Sequence, residues 1–468
     1  MPVGQMSVWM DVMRGIDPVI DDYERLFDGW AAGGVDGLVI GPLNFADGSA
    51  TFDPDPAVYR RLGVAAPSAP ANRQPERRAL FERALRAAKD RGWRVLLFQP
   101  GMGGPTLHDQ HFSLIVDERA RAAWSARIID TLQHYPLIDG GVLDGPEWGY
   151  EISPWHMVRN GRSRSNIFDD LPEYAAATCA ALGHDYRALV GAKDRLEARL
   201  HALTDREVRR HGGRDGGLLG GFGLFGNDPD LAAWLAFRLE SLTACFADIV
   251  GTVKAQVRPG LQLAAGPRSA TFAPLCGYDL PRLADVLDLL LPKHYFWHRG
   301  FDGLYGTVGR YVETLTAWNA GLSEGAALEV VASLFGLDLP EVDSLADLDE
   351  GFPLAFFETI VKQETRRVLA ATDDPERVVA WVDSGRRPHE GDPLGAGDLG
   401  RLLDAAAEAG LRRFIYHHQE NLTAGEWSVI SRRCGTPWRS LGIPPLTAEL
   451  GSDSSAMPGF YPPDKPVL

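Results

Sequence analysis

Hydrophobic and polar positions follow a blockwise rhythm along this chain. Short apolar runs recur, each followed by a polar loop and then by a stretch with helical spacing. Eight runs are candidate strands: Ser7 to Asp11, Gly37 to Gly41, Trp93 to Gln99, Gly140 to Asp144, Leu261 to Gly266, Val286 to His294, Val378 to Asp383 and Arg413 to His418. Most are apolar on successive residues rather than on alternate ones, as expected for parallel strands covered on both faces. Between them lie helical stretches such as DDYERLFDGWAAG, QPERRALFERALRAAKDRG, ARAAWSARIIDTLQHY and LGRLLDAAAEAGL. No fixed-length sequence repeat accompanies the rhythm.

Strands alternating with helices predict an α/β fold, and eight of them predict a (β/α)₈ TIM barrel; an open doubly wound sheet is the alternative. A chain of 468 residues would suggest about three domains at roughly 150 residues each, but a barrel with insertions can exceed about 400 as one unit. We therefore expect one barrel domain over 1–439. Large helical insertions are expected after strands four and six, at about 149–258 and 300–374, and a Pro/Ser/Gly-rich extension at 440–468. The first insertion carries LPEYAAATCAALG, DYRALVGAKDRLEARLHALTDREVRRH and DPDLAAWLAFRLESLTACFADIVGTVKAQ, all with helical character.

Composition narrows the function. Lys and Arg total 47 against 63 Asp and Glu, a formal charge of −16, which argues against a nucleic-acid partner because such a surface needs concentrated positive charge. The 51 glycines and 32 prolines exceed average usage, near ~12% for the two together, and imply many ordered turns and long loops. Four cysteines, Cys179, Cys245, Cys276 and Cys434, lie far apart with no C-x-x-C pair; they read as buried thiols, with neither zinc-site nor redox spacing. No uninterrupted apolar run reaches the ~18 residues of a membrane span, so no membrane partner is expected. The N-terminal MPVGQMSVWMDVMRG lacks the pattern of a signal peptide. The expected location is the cytoplasm, with a trimmed secreted form left open. The oligomeric state is not legible.

In barrels of this type, chemistry sits where strands run into their following loops. That rule selects Asp11 and Arg14 after strand one, Asn44 after strand two, and Gln99 after strand three, ahead of the PGMGG loop with His108 and His111. Strand four gives Asp144, Glu147, Trp148, Tyr150 and Glu151, and strand five gives Arg268. Strand six gives Lys293, His294, Tyr295, Trp297, His298 and Arg299, and strand seven gives Asp383, Arg386 and Arg387. Strand eight gives His417, His418, Gln419, Glu420 and Asn421, with Glu426 and Trp427 beyond. The set is rich in carboxylates, aromatics and hydrogen-bonding side chains. Aromatic faces stack on sugar rings, and two carboxyl groups flanking one bond can run glycosidic cleavage, one as acid and the other as base or nucleophile. Each carboxylate also has a structural alternative, as a salt-bridge partner or, for Asp144 before Gly145, a turn residue. Adjacent residues on a strand point to opposite faces, so only one of His417 and His418 is expected to line the barrel.

With its acidic, aromatic loop Asp144-Gly-Pro-Glu147-Trp148-Gly-Tyr150-Glu151 and the helical insertion FDDLPEYAAATCAALGHDY, the chain resembles barrel-type glycoside hydrolases. The resemblance covers most of the chain as architecture, with loose motifs. The largest clan of such enzymes closes strand four with Asn-Glu and strand seven with Glu. This chain has Asp144-Gly-Pro-Glu147 and Asp383 in those places, and Asp144 matches instead the barrel glycosidases with an Asp nucleophile there. The resemblance implies a glycosidase acting on a carbohydrate. Glu147 would be general acid, Asp383 or Glu420 its partner, and Asp144 a competing nucleophile. Trp148, Tyr295, Trp297 and Trp427 would form stacking walls. Arg14, Arg268, Lys293 and His294 would bind hydroxyls or carboxylates, joined by Asp11, Asn44, Gln99, Glu151 and His418. No cofactor and no metal are implied. The histidines of strands six and eight keep a metal-dependent barrel hydrolase or isomerase as one alternative; a non-catalytic carbohydrate-binding barrel is the other.

Several motifs carry less. Gly221-Phe-Gly-Leu-Phe-Gly226 fits G-x-G-x-x-G, but no strand precedes it; it reads as a flexible loop over the site. No phosphate-binding G-x-x-x-x-G-K-[ST] loop, H-E-x-x-H or His-x-His on strand one is present. Asn421-Leu-Thr423 is taken as a chance sequon, and GLDLPEVDSLADLDEG as a solvated loop.

Overall fold

In a computed structural model of the chain, the described residues are 6–13, 16–41, 43, 52–69, 75–101, 113–154, 158–159, 162–163, 166–169, 171–211, 221–297, 303–386 and 394–438. In chain order the strands are β1 (Ser7–Val12), β2 (Val35–Ile40), β3 (Arg94–Pro100), β4 (Gly140–Asp144), β5 (Val158–Arg159), β6 (Arg162–Ser163), β7 (Gln262–Ala265), β8 (Leu289–Leu290), β9 (Lys293–His294), β10 (Val379–Asp383) and β11 (Arg413–His417). β5 and β6 form a separate small hairpin. The other nine make one sheet in the order β8-β7-β4-β3-β2-β1-β11-β10-β9, every pairing parallel.

The two ends of that sheet are halves of one run, 289–294. Leu290 bridges to Val378, and Lys293 and His294 pair with Trp381 and Val382. The sheet therefore closes into an eight-position barrel, and the open doubly wound alternative falls away. The expected strand Val286 to His294 is shorter and broken: Leu280–Val286 is helix, and Pro292, which has no N–H to give to a ladder, separates β8 from β9.

Two hydrophobic clusters follow the strand alternation. Trp9, Val39, Leu96, Val142, Ala264, Leu289, Leu291, Val379, Trp381 and Ile415 fill the barrel interior, with Tyr295 and Trp297 above them. The opposite faces, among them Val8, Leu38, Leu97, Leu143, Leu263, Ala380 and Phe414, join the much larger cluster under the surrounding helices. This two-sided burial is why the strands read as continuous apolar runs. At Gly140 a Cβ would run into the backbone of Gln262, so the β4–β7 approach requires glycine there.

The outer layer is built from well-terminated helices. Asp117 caps Glu118–His134 by accepting from Arg119 N and Ala120 N at 2.9 and 3.3 Å. Thr423 and Glu426 form a capping box on Ala424–Cys434. In the first insertion, the expected helix through DYRALVGAKDRLEARLHALTDREVRRH is two, Tyr186–Leu200 and Asp205–His211. The helix Pro229–Gln256 packs on Glu118–His134 and leads back to β7, so it belongs to the barrel's outer layer. In the second insertion, Leu304–Trp318 and Glu324–Phe335 pack together. Asn319 laces the two insertions, its amide donating to Leu200 O and its carbonyl accepting from Leu203 N, at 2.8 and 2.9 Å.

Residues 221–224 of the glycine-rich motif are a helical turn rather than a loop. The acidic stretch expected as a solvated loop holds the capped helix Leu345–Asp349, with Leu337 and Leu348 buried. The four cysteines are buried free thiols, as expected. Among the described residues, no helix is long and apolar enough to cross a membrane. The extension 440–468 lies outside the described residues.

Candidate functional site at the barrel mouth

Strand alternation carries the interior face up to the C-terminal end of the barrel. Trp9 leads to Asp11, Val142 to Asp144, Ala264 to Gly266, Trp381 to Asp383 and Ile415 to His417, each two residues on. Four of these five end residues are polar and one is glycine. A Cβ on Gly266 would stand 2.9 Å from Asp144 Oδ1 and 3.2 Å from Trp381 Cζ3. The missing side chain thus lets Asp144 and the indole of Trp381 border the same space.

On the β1–β11–β10 side, the buried Asp11 is held from three directions. Its Oδ1 accepts from Met13 N at 2.8 Å, and its Oδ2 accepts from Trp381 Nε1 at 3.3 Å and contacts His417 Nδ1. His417 Nε2 lies 3.8 Å from Asp383 Oδ2, and Asp383 Oδ1 accepts from Gly385 N at 2.6 Å. One imidazole therefore stands between two carboxylates, stacked on Tyr295 at 5.5 Å and 13°. Tyr295 stacks in turn on Trp297 at 4.8 Å.

His418 joins this group, contrary to the expectation that only one of the two histidines lines the barrel. Its Nδ1 lies 3.7 Å from Asp11 Oδ2, and its ring centroid is 3.5 Å from that of His417. The physical reason is that β11 ends at His417. His418 opens the 3₁₀ turn Gln419–Asn421, so strand alternation no longer governs it. Asp11, His417 and His418 bring three ligand-type atoms within 4.8 Å of one another.

On the β4–β7 side, Arg268 Nε reaches Glu147 Oε1 and Oε2 at 2.9 and 3.1 Å, and its Nη2 also meets Oε1. Both residues are buried. Burial pushes the Glu147 carboxyl upward, opposed by the charges of Arg268 and Lys293. Lys293 Nζ lies 3.1 Å from Asp144 Oδ1. Asp144 keeps 19% of its side chain exposed, where Asp11 and Asp383 keep none.

Several sequence candidates lie elsewhere. His294 alternates with Lys293 and faces the helices, its Nε2 2.9 Å from Thr365 Oγ1; burial pulls its imidazole down to about 4. Gln99 is buried and shares the parity of outward-facing Leu97. Trp148 packs on Phe237 and Arg238 of Pro229–Gln256 and donates to Ser241 Oγ at 3.2 Å. Glu151 accepts from Arg310 Nε at 2.8 Å and from Ile152 N at 3.1 Å, tying together the two insertions. Trp427 lies against Gly33 in the helical layer. Glu420 is half-buried in the 3₁₀ turn after β11. Arg386 pairs with Glu426 at 2.8 Å. Arg14, Asn44, His108, His111, His298, Arg299 and Arg387 lie outside the described residues.

One central residue, Trp381, is absent from the strand-end candidates, and His417 is among them without an assigned role. Both follow from counting back from a strand end in steps of two, since Asp383 and Trp381 share a face, as do His417 and Ile415.

The site thus belongs to a (β/α)₈ barrel with a buried carboxylate–histidine group and two carboxylate–cation pairs at its mouth. No family model matches the chain, and no curated protein matches it. Solved structures similar to it include the PgaB glycoside hydrolase domain from Bordetella bronchiseptica, at 13% identity and a TM-score of 0.47, over 91% of this chain and 98% of that one. A β-amylase catalytic domain from Paenibacillus polymyxa has 10% identity and a TM-score of 0.45, over 92% and 98%. A GH18 chitinase from Pseudoalteromonas aurantia has 10% identity and a TM-score of 0.39, over 91% and 98%.

Proposed function

We propose that the chain is a glycoside hydrolase working at the barrel mouth, with Asp144 and Asp383 as its reacting carboxylates. The observation that carries this reading is the placing of carboxylates around one indole. Asp11 accepts from the Nε1 edge of Trp381, Asp144 borders its six-membered edge across Gly266, and Asp383 follows it on the same strand face. Carboxylates gathered at the mouth around one buried aromatic side chain supply the paired carboxyl groups that glycosidic cleavage requires.

Asp144 is the more exposed reacting group, and Lys293 Nζ, 3.1 Å from its Oδ1, is placed to orient the carboxylate of a nucleophile or base. Glu147, the general acid expected from sequence, is gripped by Arg268 through both oxygens. With both oxygens engaged by that guanidinium, Glu147 in this reading positions Arg268 and the loop after β4. Among the described residues, Arg268 and Lys293 are each paired with a carboxylate, which favours a neutral glycan over an acidic sugar.

The test is reducing-end release from a panel of aryl glycosides and neutral polysaccharides. The wild type should turn over at least one substrate, and Asp144→Asn and Asp383→Asn should each lose ~10²–10⁴-fold. Near wild-type turnover in both variants would remove the two-carboxylate reading. Sugar binding with no turnover in the wild type would replace it with a non-catalytic barrel.

A further inference from the structure

We propose that Asp11, His417 and His418 form a binding site for one divalent first-row transition-metal ion. The proposal does not depend on the glycosidase reading, although Asp11 and Asp383 take part in both. Three observations carry it. First, the donor set is two imidazoles and one carboxylate, all buried, which suits zinc or iron(II) far better than the all-oxygen preference of magnesium or calcium. Second, the donors converge. Two ligands on one tetrahedral ion at ~2.0–2.1 Å stand roughly 3.4 Å apart; Asp11 Oδ2 stands 3.7 Å from His418 Nδ1, and one ligand atom from each of the three residues lies within 4.8 Å of the others.

Third, the surroundings orient the ligands as metal sites require. Metal-bound histidines commonly point their other ring nitrogen at a carboxylate, and His417 Nε2 lies 3.8 Å from Asp383 Oδ2. Asp11 is fixed by Met13 N at 2.8 Å through Oδ1, which turns Oδ2 toward the histidines. Three protein ligands also leave a coordination position for water or another small ligand.

The placement suggests what the ion does. Asp11 is the last but one residue of β1 and His417 ends β11, the first and last barrel strands, which pair side by side. A metal here ties the first and last barrel strands together, and binding to the folded state alone would raise its stability.

The experiment uses the full chain, stripped with a chelator and titrated with Zn²⁺ and with Co²⁺, whose visible bands report nitrogen and oxygen ligation. The expected result is one ion per chain, a nitrogen-ligated cobalt spectrum and a higher Tm on zinc addition. His418→Gln should abolish the cobalt bands. Asp383→Asn should weaken zinc about 10–100-fold, as loss of an orienting carboxylate does, while circular dichroism stays that of the wild type. Absence of saturable zinc or cobalt binding by the folded wild-type chain would overturn the proposal, leaving a metal-free Asp–His–Asp array. Equal affinity in wild type and His418→Gln, with folding intact, would overturn it as well.

Discussion

Replacing His294 by glutamine isolates one buried imidazole. Thr365 Oγ1 donates to Val361 O at 2.8 Å, so it can only accept from His294 Nε2, 2.9 Å away. That fixes the neutral imidazole with its proton on Nε2. Burial holds the ring's pKa down at about 4, from an ordinary 6.5. The unfolded chain takes up this proton near pH 6.5, while the native protein resists until about 4. The stability contribution is therefore complete above 6.5 and is lost as pH falls toward 4. At about 1.4 kcal/mol per pH unit the loss is ~3 kcal/mol. Glutamine keeps a donor and cannot titrate. Urea unfolding followed by tryptophan fluorescence, from about pH 7.5 to about pH 4, measures both proteins. Buried Glu364 and Glu147 titrate in both and cancel in the difference. The stability of wild type minus that of His294→Gln should fall by ~3 kcal/mol across the window. A difference constant to within about 0.5 kcal/mol would show that His294 protonates as freely when folded as when unfolded, and would refute the reasoning.

Arg268→Met strands the buried carboxylate of Glu147 and should cost ~3–5 kcal/mol, much of it recovered in the double variant with Glu147→Gln; additive losses in a thermal double-mutant cycle would deny the pair. Gly140→Ala pushes a methyl into the Gln262 backbone and should lower stability by ~1–3 kcal/mol or more, read by urea midpoint, whereas an unchanged midpoint would place the β4–β7 approach elsewhere. The thiols of Cys179, Cys245 and Cys434, buried and raised to about 11, 12 and 12, should stay inert to an aromatic disulfide reagent in the native protein and react in urea. Rapid native labelling of any of them would contradict its burial.

The fold was legible because a closed parallel barrel writes itself as apolar runs. Each strand buries both faces, so Gly140 to Asp144 reads without interruption, and the element found is the same five residues. What failed was local. The sixth apolar run reads as one strand through Pro292, but proline cannot donate to a ladder and the strand breaks there. Residues 221–226 lack the preceding strand of a dinucleotide motif and so read as a flexible loop, yet 221–224 close a helical turn. The two insertions hide their mutual contacts altogether. Glu151 with Arg310, and Asn319 with Leu200 and Leu203, are pairings across more than 100 residues, and no spacing rule reaches that far.

The site was legible as a list of strand ends but not as a selection from it. Proximity to a strand end recruits both parities, and only one enters the barrel. His294 and Gln99 fail on that ground, since Lys293 and Phe98, one residue earlier in each case, hold the interior parity. Trp148, Glu151 and Trp427 fail for a second reason: they lie beyond the strands, in loops and helices whose packing the strand register does not set. Parity would have kept Asp11, Asp144, Asp383 and His417 and added Trp381 from the residue types alone. It would also have discarded His418, and wrongly, because the rule lapses where the ladder stops. The chain turns into a 3₁₀ segment at that point, and the turn swings a second imidazole onto Asp11. The departure from strand geometry is what assembles two histidines on one carboxylate, so the least predictable residue of the mouth is the one on which the metal proposal depends.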